Sequence, residues 1–417
     1  MTAGVDQITQ RRREVGLIAH DPARSFGGYT LIAPQTAGGR VVLVASDGEV
    51  AHEWQLPVRP GRHAVLLPNG NLGYNGSHPD SPDLYPPWSM WHGGDFYEVT
   101  PAGNIVWRYQ DPAHHHDAQW LPNGHLLYAA CEPVCEAFAR RVPGGSDGDT
   151  PGPMFADVIR EVDRTGQLVW EWRAAQHLDP AQFPIHPGFG RYHWPLVNGL
   201  AIDAQGRVLM SLRTTSGVIA VDKASSTVQW HIPPGVVSHQ HAPVPLDNGH
   251  ILVFDNGNSR PGSHVAYSRV LEIDPSDNSI VWHYADETAH LFYSPFMGNA
   301  QRLPNGNTHI TESSTGRLFE VTPAGELVWE YIIPWFAEYP DAASRTTGPG
   351  HLNSVFQSWR YAPALIPWLT SADSTNGRNS PVHPDRAPGR GDCKVLSTLV
   401  CAGYAQNALN QTQMNSF

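Results

Sequence analysis

Histidine recurs at one phase of a repeated segment. In HHHDAQWLPNGHLLYAA, His116 lies five positions before the Leu of an LPNG turn. In HQHAPVPLDNGHILVF, His241 holds the same place, and in HAVLLPNGNLGY, His63 lies four positions before the Leu. Asn198 in NGLAIDAQGRVLMS and Asn299, with Gly298, in GNAQRLPNGNTHIT fill the equivalent positions. Imidazole titrates near neutrality and can act as nucleophile, acid, base or metal ligand. A single histidine at a strand start is more often a hydrogen-bonding structural residue. Core packing wants apolar side chains at this phase, so its recurrence argues for chemistry. His116 and His241 are the leading candidates, with His63, Asn198 and Asn299 as binding residues. His239, two residues before His241, points the same way. His114 and His115 read as surface neighbours of His116, and His193 and His351 are weaker candidates.

Two arginines complete the set. Arg260 follows His241 in LVFDNGNSRP, and Arg317 opens a strand in SSTGRLFEV. A planar guanidinium suits an oxyanion such as sulfate, phosphate or carboxylate.

The elements that must position these residues are repeats. A polar turn and an apolar alternation end in tryptophan at Trp54, Trp107, Trp170, Trp230, Trp282 and Trp329. Each reads as a strand–turn–strand hairpin, and the LPNG-type segments between them read as a second hairpin. A weaker sixth copy of the second kind is HLNSVFQSWRY, from His351. Two hairpins per repeat and six repeats predict an all-β fold, a six-bladed β-propeller with four-stranded blades. The first and last hairpins are expected to share one blade and close the ring. The LPNG hairpin, if innermost, places its histidines at the channel entrance. Residues 1–27 read as an N-terminal extension, 28–363 as the propeller and 364–417 as a tail of loose packing or disorder. The long loops 75–95, 132–156 and 173–197 are expected at the channel mouth.

Composition limits the partners. Lys+Arg 27 against Asp+Glu 39 gives a net charge of −12, which disfavours nucleic acid and anionic membrane surfaces. No apolar stretch is long enough for a transmembrane helix. No apolar segment follows the basic patch near the N-terminus, so no signal peptide is visible and a cytoplasmic location is expected. Four cysteines do not make a disulfide framework; Cys131 and Cys135 read as plain thiols or one local bridge.

The segments GGYTLIAP, HHDAQWLPNGHLLY, DVIREVDRTGQLVWEW, HQHAPVPLDNGHILVFDNGNSR, FYSPFMGNAQRLPNGNTHI, GRLFEVTPAGELVWEYIIP and NSVFQSWRYAP together resemble the arylsulfotransferase family. The resemblance implies a six-bladed propeller and ping-pong transfer of a sulfuryl group from an aryl sulfate to a phenol through a sulfohistidine. It places two charge-stabilising histidines on His116 and His241 and an arginine on Arg260. The family's nucleophilic histidine falls on Arg317, and a further histidine position holds Leu196. A guanidinium stays protonated and is not a nucleophile. Transfer must then be direct or use another histidine.

Three readings follow. The first is an arylsulfotransferase-like enzyme on a small anionic or aromatic substrate, by sulfuryl transfer or hydrolysis. It uses His116, His241, Arg260 and Arg317 and requires no cofactor. The second is a metal-dependent enzyme with Zn, Cu or Fe held by His63, His116, His241 and His351, or by His239. The third is a non-catalytic binding propeller.

Overall fold

The computed structural model describes residues 8–9, 11–85, 87–146 and 152–372. The LPNG-type turns are tight for a local reason. An Asn or Asp side chain accepts from the backbone N–H two residues on: Asn69 from Asn71, Asn123 from His125, Asp203 from Gln205, Asn248 from His250 and Asn305 from Asn307, at 3.0–3.1 Å. The closing glycines have φ between 76° and 86°, a region that side chains with a Cβ avoid.

These hairpins build six four-stranded antiparallel blades. From the channel outward, blade 1 holds Val355–Tyr361, Tyr29–Pro34, Arg40–Ala45 and Val50–Gln55. Blade 2 holds Pro60–Leu66, Leu72–Ser77, Gly94–Val99 and Ile105–Gln110. Blade 3 holds His114–Trp120, Leu126–Pro133, Phe155–Val162 and Leu168–Arg173, with His193–Trp194 paired parallel to Phe155–Val162. Blade 4 holds Val197–Ile202, Val208–Leu212, Gly217–Val221 and Val228–Ile232. Blade 5 holds His241–Pro245, Ile251–Asp255, Arg269–Asp274 and Ser279–Tyr284. Blade 6 holds Asn299–Arg302, Thr308–Glu312, Arg317–Val321 and Leu327–Ile332. The architecture is the expected one, and the LPNG strands are innermost. Closure takes three strands from the start of the chain and one, Val355–Tyr361, from its end; the C-terminal contribution is a single strand rather than a hairpin.

The core is a ring. Six buried apolar clusters each lie between two neighbouring blades. The repeated tryptophans lock these seams. Trp54, Trp107, Trp170, Trp282 and Trp329 each donate their indole N–H to the outer turn of the next blade, at Thr100, Arg164, Lys223, Pro323 and Ser46. Each such bond contributes about 1 kcal/mol. The indole N–H of Trp230 is buried without a partner among the described residues.

Gly16–His20 is a fifth, outermost strand on blade 6, paired with Leu327–Ile332. At the other end, Pro363–Leu365 and Pro367–Ala372 are short helices, and Trp368 donates to Gly70. That start of the expected loose tail is packed; residues 373–417 lie outside the described residues. Cys131 and Cys135 are free thiols, buried and exposed respectively. Among the described residues no helix is long and apolar enough to cross a membrane.

Candidate active site

The inner strands are bulged where the histidines sit. Pairing slips between Pro60 and Ala64 around His63, between His114 and Ala118 around His116, and between His241 and Val244. Bulges re-aim side chains and collect at active sites. His116, Leu196, His239, Ala242 and Met297 adopt left-handed backbone at this end of the inner strands, a strained geometry for residues with a Cβ.

The bulges turn three histidines onto one ring. His63, His116 and His241 have ring centroids 5.9, 6.5 and 6.4 Å from that of Phe356, which blade 1 contributes. All three rings thus lie around Phe356. The Arg62 guanidinium lies 5.4 Å from the same centroid.

Arg62 was not legible as a site residue, nor was Arg213. Arg62 is buried and donates to the Met297 sulfur at 3.4 Å. Burial, with Arg59 and Arg213 as like charges, pushes its pKa down to about 9. Burial likewise pushes Arg213 down to about 10, relieved by Tyr192 and Tyr293. Among the described residues no carboxylate stands within ion-pair distance of either. Buried cations are ordinarily paired. Arg62, buried, and Arg213, half-buried, beside His116 and His241, make a local positive field in an acidic protein. Such a field fits a small anion.

Behind His116 runs a chain of close polar contacts that the sequence reading also missed. The Tyr85 hydroxyl lies 2.6 Å from Nδ1 of His193, and His193 Nε2 lies 3.2 Å from Asp157 Oδ1. His115 Nε2 is 3.0 Å from the same oxygen, and His115 Nδ1 is 2.9 Å from His116 Nδ1. His115 is thus a buried link rather than a surface neighbour. Burial raises the Asp157 carboxyl, but His193 and His115 outweigh it and hold it below the usual range. The backbone N–H groups of Leu196 and Val197 also bond to it. His115 Nε2 is close to this carboxylate but off-line for a hydrogen bond to it; the negative charge still favours the His115 proton on that facing nitrogen. Burial lowers the His115 pKa, and in the neutral tautomer with its proton toward Asp157 its Nδ1 is the acceptor for His116 Nδ1–H. In that tautomer His116 Nε2 carries a lone pair, with no hydrogen-bond partner among the described residues. Burial first, and Arg62 next, hold His116 well below the usual histidine range, so it is neutral.

His241 differs. Its Nε2 accepts from the Met297 N–H at 3.1 Å, and its Nδ1 donates to Asn256 Oδ1 at 2.7 Å. Both nitrogens are engaged, which makes it a fixed neutral wall. His63 Nδ1 lies 3.2 Å from Asp117 Oδ1, off-line for a hydrogen bond.

The remaining predicted residues lie elsewhere or are already committed. Arg260 bonds to Asp255 and the Tyr267 carbonyl, both at 3.0 Å, and stacks on the Tyr267 ring. Arg317 does not join the histidines: it pairs with Glu312 and Glu330 across blade 6 and lies over Phe319. Asn299 donates from Nδ2 to the Ser358 carbonyl and accepts the Ser358 N–H at Oδ1, and Asn198 donates to the Gln240 carbonyl, so each stitches adjacent inner strands. His351 is exposed. The metal set His63, His116, His241 and His351 is not assembled. Among the described residues, the group close enough to share one ion is His115, Asp157 and His193.

Residues 89–333, more than half of the chain, match the arylsulfotransferase (ASST) family. The chain belongs to that family. The arylsulfate sulfotransferase AssT of Escherichia coli O6:H1 is 23% identical over 312 residues, covering 55% of this chain and 50% of that protein. The chain thus spans about half the length of the curated relative it matches. Among solved structures, a protein of unknown function from Bacteroides caccae covers 80% of this chain and 98% of its own, at 16% identity and a TM-score of 0.49. An inactive virginiamycin B lyase from Staphylococcus aureus with quinupristin covers 76% and 88%, at 11% identity and a TM-score of 0.41.

Proposed function

We propose that this chain transfers a sulfuryl group from an aryl sulfate, with His116 Nε2 as the attacking atom and Arg62 and Arg213 as the cradle for the sulfuryl oxygens. The observation that carries this reading is the His115–His116 contact, which leaves the His116 lone pair free. Nε2 attacks sulfur, the S–O bond to the aryl group breaks, and the aryl oxide leaves with the electron pair. Positive charge on the sulfo-imidazole is relieved through Nδ1–H toward His115 and Asp157. The guanidinium pair offsets negative charge on the transferring group. A phenol, or water, then takes the sulfuryl group and returns the electron pair to Nε2. This supplies the nucleophile missing at Arg317.

The test is turnover of a chromogenic aryl sulfate with and without a phenol, in wild type and His116→Ala, with mass analysis of the rapidly quenched protein. A sulfuryl adduct on the His116 peptide supports the reading. Turnover unchanged in His116→Ala would reject it, and absence of turnover under all conditions would favour a binding propeller.

One observation favours a second reading. His115, Asp157 and His193 are fully buried with ligand atoms within 4.8 Å of one another. Two imidazoles and a carboxylate suit Zn or Fe. Stoichiometric metal in the purified protein, with activity lost on chelation and restored on reloading, would place the chemistry there instead.

A further inference from the structure

Three buried groups behind His116 face one another in blade 3. His115 comes from the inner strand His114–Trp120, Asp157 from Phe155–Val162, and His193 from the two-residue strand paired in parallel beside it. None of the three side chains is exposed. Asp157 Oδ1 lies 3.0 Å from His115 Nε2 and 3.2 Å from His193 Nε2. The two imidazole planes cross at 81°, with centroids 4.7 Å apart. Donors around a tetrahedral zinc ion, each about 2.0–2.2 Å from it, stand about 3.3 Å from one another. Both spacings to the Asp157 oxygen are close to that figure. His115 Nε2 is buried with no hydrogen-bond partner among the described residues. A nitrogen that stands beside a carboxylate oxygen without bonding to it is placed as a co-ligand rather than as a donor.

The outer groups are in place as well. A metal-bound imidazole ordinarily donates its other N–H to an acceptor. For His193 that acceptor is the Tyr85 hydroxyl, 2.6 Å from Nδ1. For His115 it is His116, whose Nδ1 lies 2.9 Å from His115 Nδ1. The N–H groups of Leu196 and Val197 hold the Asp157 carboxylate in its orientation.

We infer that His115, Asp157 and His193 form an inhibitory zinc site that silences His116 by inverting its tautomer. The inference rests on the sulfuryl-transfer reading and adds regulation to it; a metal in the second reading performs the chemistry, whereas here it stops it. Zinc takes the lone pair of His115 Nε2, so the His115 proton must sit on Nδ1. That N–H donates to His116 Nδ1, which becomes the acceptor. The His116 proton then lies on Nε2, the atom that would attack sulfur, and the attacking lone pair is gone. His193 moves its proton from Nε2 to Nδ1, toward the Tyr85 oxygen. Each imidazole keeps one proton throughout, so protons are relocated and none is released.

The experiment starts from purified protein stripped with a chelator and then loaded with zinc or, as a spectroscopic stand-in, cobalt(II). Elemental analysis counts metal per chain, and the visible cobalt bands report the coordination geometry. Nitrogen NMR of histidine-labelled protein, assigned against His116→Gln, reads the His116 tautomer. Expected are one zinc per chain, a His116 proton moved from Nδ1 to Nε2, and aryl sulfate turnover lowered about a hundredfold or more, as for other catalytic histidines held in the wrong tautomer. Chelation should restore turnover. His193→Gln should not bind zinc, and zinc should not change its turnover. Tyr85→Phe keeps all three ligands, and its zinc affinity should fall about tenfold or more. No zinc bound to wild type, or wild-type affinity in both variants, overturns the site. Zinc that binds and leaves turnover unchanged, or turnover that chelation abolishes, overturns the inhibitory role. The tautomer shift without turnover in either form would leave the zinc site standing and defeat the sulfuryl-transfer reading alone.

Discussion

Nδ1 of His115 stands 2.9 Å from Nδ1 of His116, with Asp157 3.0 Å behind His115. This contact couples the two rings, so the tautomer of one dictates that of the other. His115→Phe keeps a ring in the space but removes the acceptor. Transfer should fall by about a hundredfold or more, with KM changed far less, because orientation of a nucleophile acts on the chemical step. Steady-state kinetics beside circular dichroism check this. A drop in KM affinity alone, with kcat intact, would contradict the relay.

Arg62 sets function against stability. Its charge is buried without a carboxylate, and burial pushes its pKa down to about 9. Replacing such a charge with an apolar side chain of similar length removes a desolvation cost. Arg62→Met should raise unfolding stability by about 1–3 kcal/mol while weakening stabilisation by added sulfate. Urea titrations with and without sulfate measure both. A destabilised variant would mean that Arg62 is a structural partner.

For Arg317 the expectation is reversed. Its removal strands Glu312 and Glu330, so Arg317→Gln should cost about 3 kcal/mol of stability, as for other partly buried pairs. Transfer by the folded protein should be within about twofold of wild type. A selective loss of kcat with stability intact would restore Arg317 to the site.

The tryptophan seams give a paired comparison. Trp282 donates to Pro323 at 2.9 Å, whereas the Trp230 N–H is buried without an acceptor. Phenylalanine keeps most of the apolar contact and deletes the N–H. Trp282→Phe should cost about 1–2 kcal/mol and Trp230→Phe close to nothing, because it deletes an unsatisfied donor. Equal losses would show that ring volume alone matters.

Acid should weaken the fold before it protonates the site. Burial pushes His63 down to about 4, and His92 and His239 to about 3. The unfolded chain takes up these protons near pH 6.5, and the native state does not. The stability is therefore complete above that pH and is lost as pH falls toward 4, by up to about 1.4 kcal/mol per pH unit for each histidine. Asp117 opposes this: burial pushes it up to about 7, so its contribution declines as pH rises from 4 to 7. Denaturant midpoints at about pH 7.5 and about pH 5 should differ in favour of the former. The reverse order would show that these imidazoles are charged in the native state.

The ring was legible because its signals are local. Asn69 and Gly70 make their own turn, and the tryptophans recur with the blades. The phase of His116 was legible for the same reason. Arg62 was not, because the bulge at Pro60–Ala64 sends neighbouring side chains where alternation does not predict. Asp157 reaches His115 only through the pairing of its strand with its neighbours. Arg260 and Arg317 were assigned to the site because they follow the right motifs. Their carboxylate partners, Asp255, Glu312 and Glu330, emerge from strand register.

Closure by Val355–Tyr361 has a consequence for synthesis. The strand it pairs with, Tyr29–Pro34, leaves the ribosome more than three hundred residues earlier. Until then its inner edge is open, with unmatched N–H and C=O groups facing the forming channel. Five blades can assemble in order as they emerge, but the His63–Phe356 contact cannot exist before the last strand arrives. A nascent or truncated chain lacking that strand is therefore both sticky and siteless, and its first requirement in the cell is protection of one strand edge.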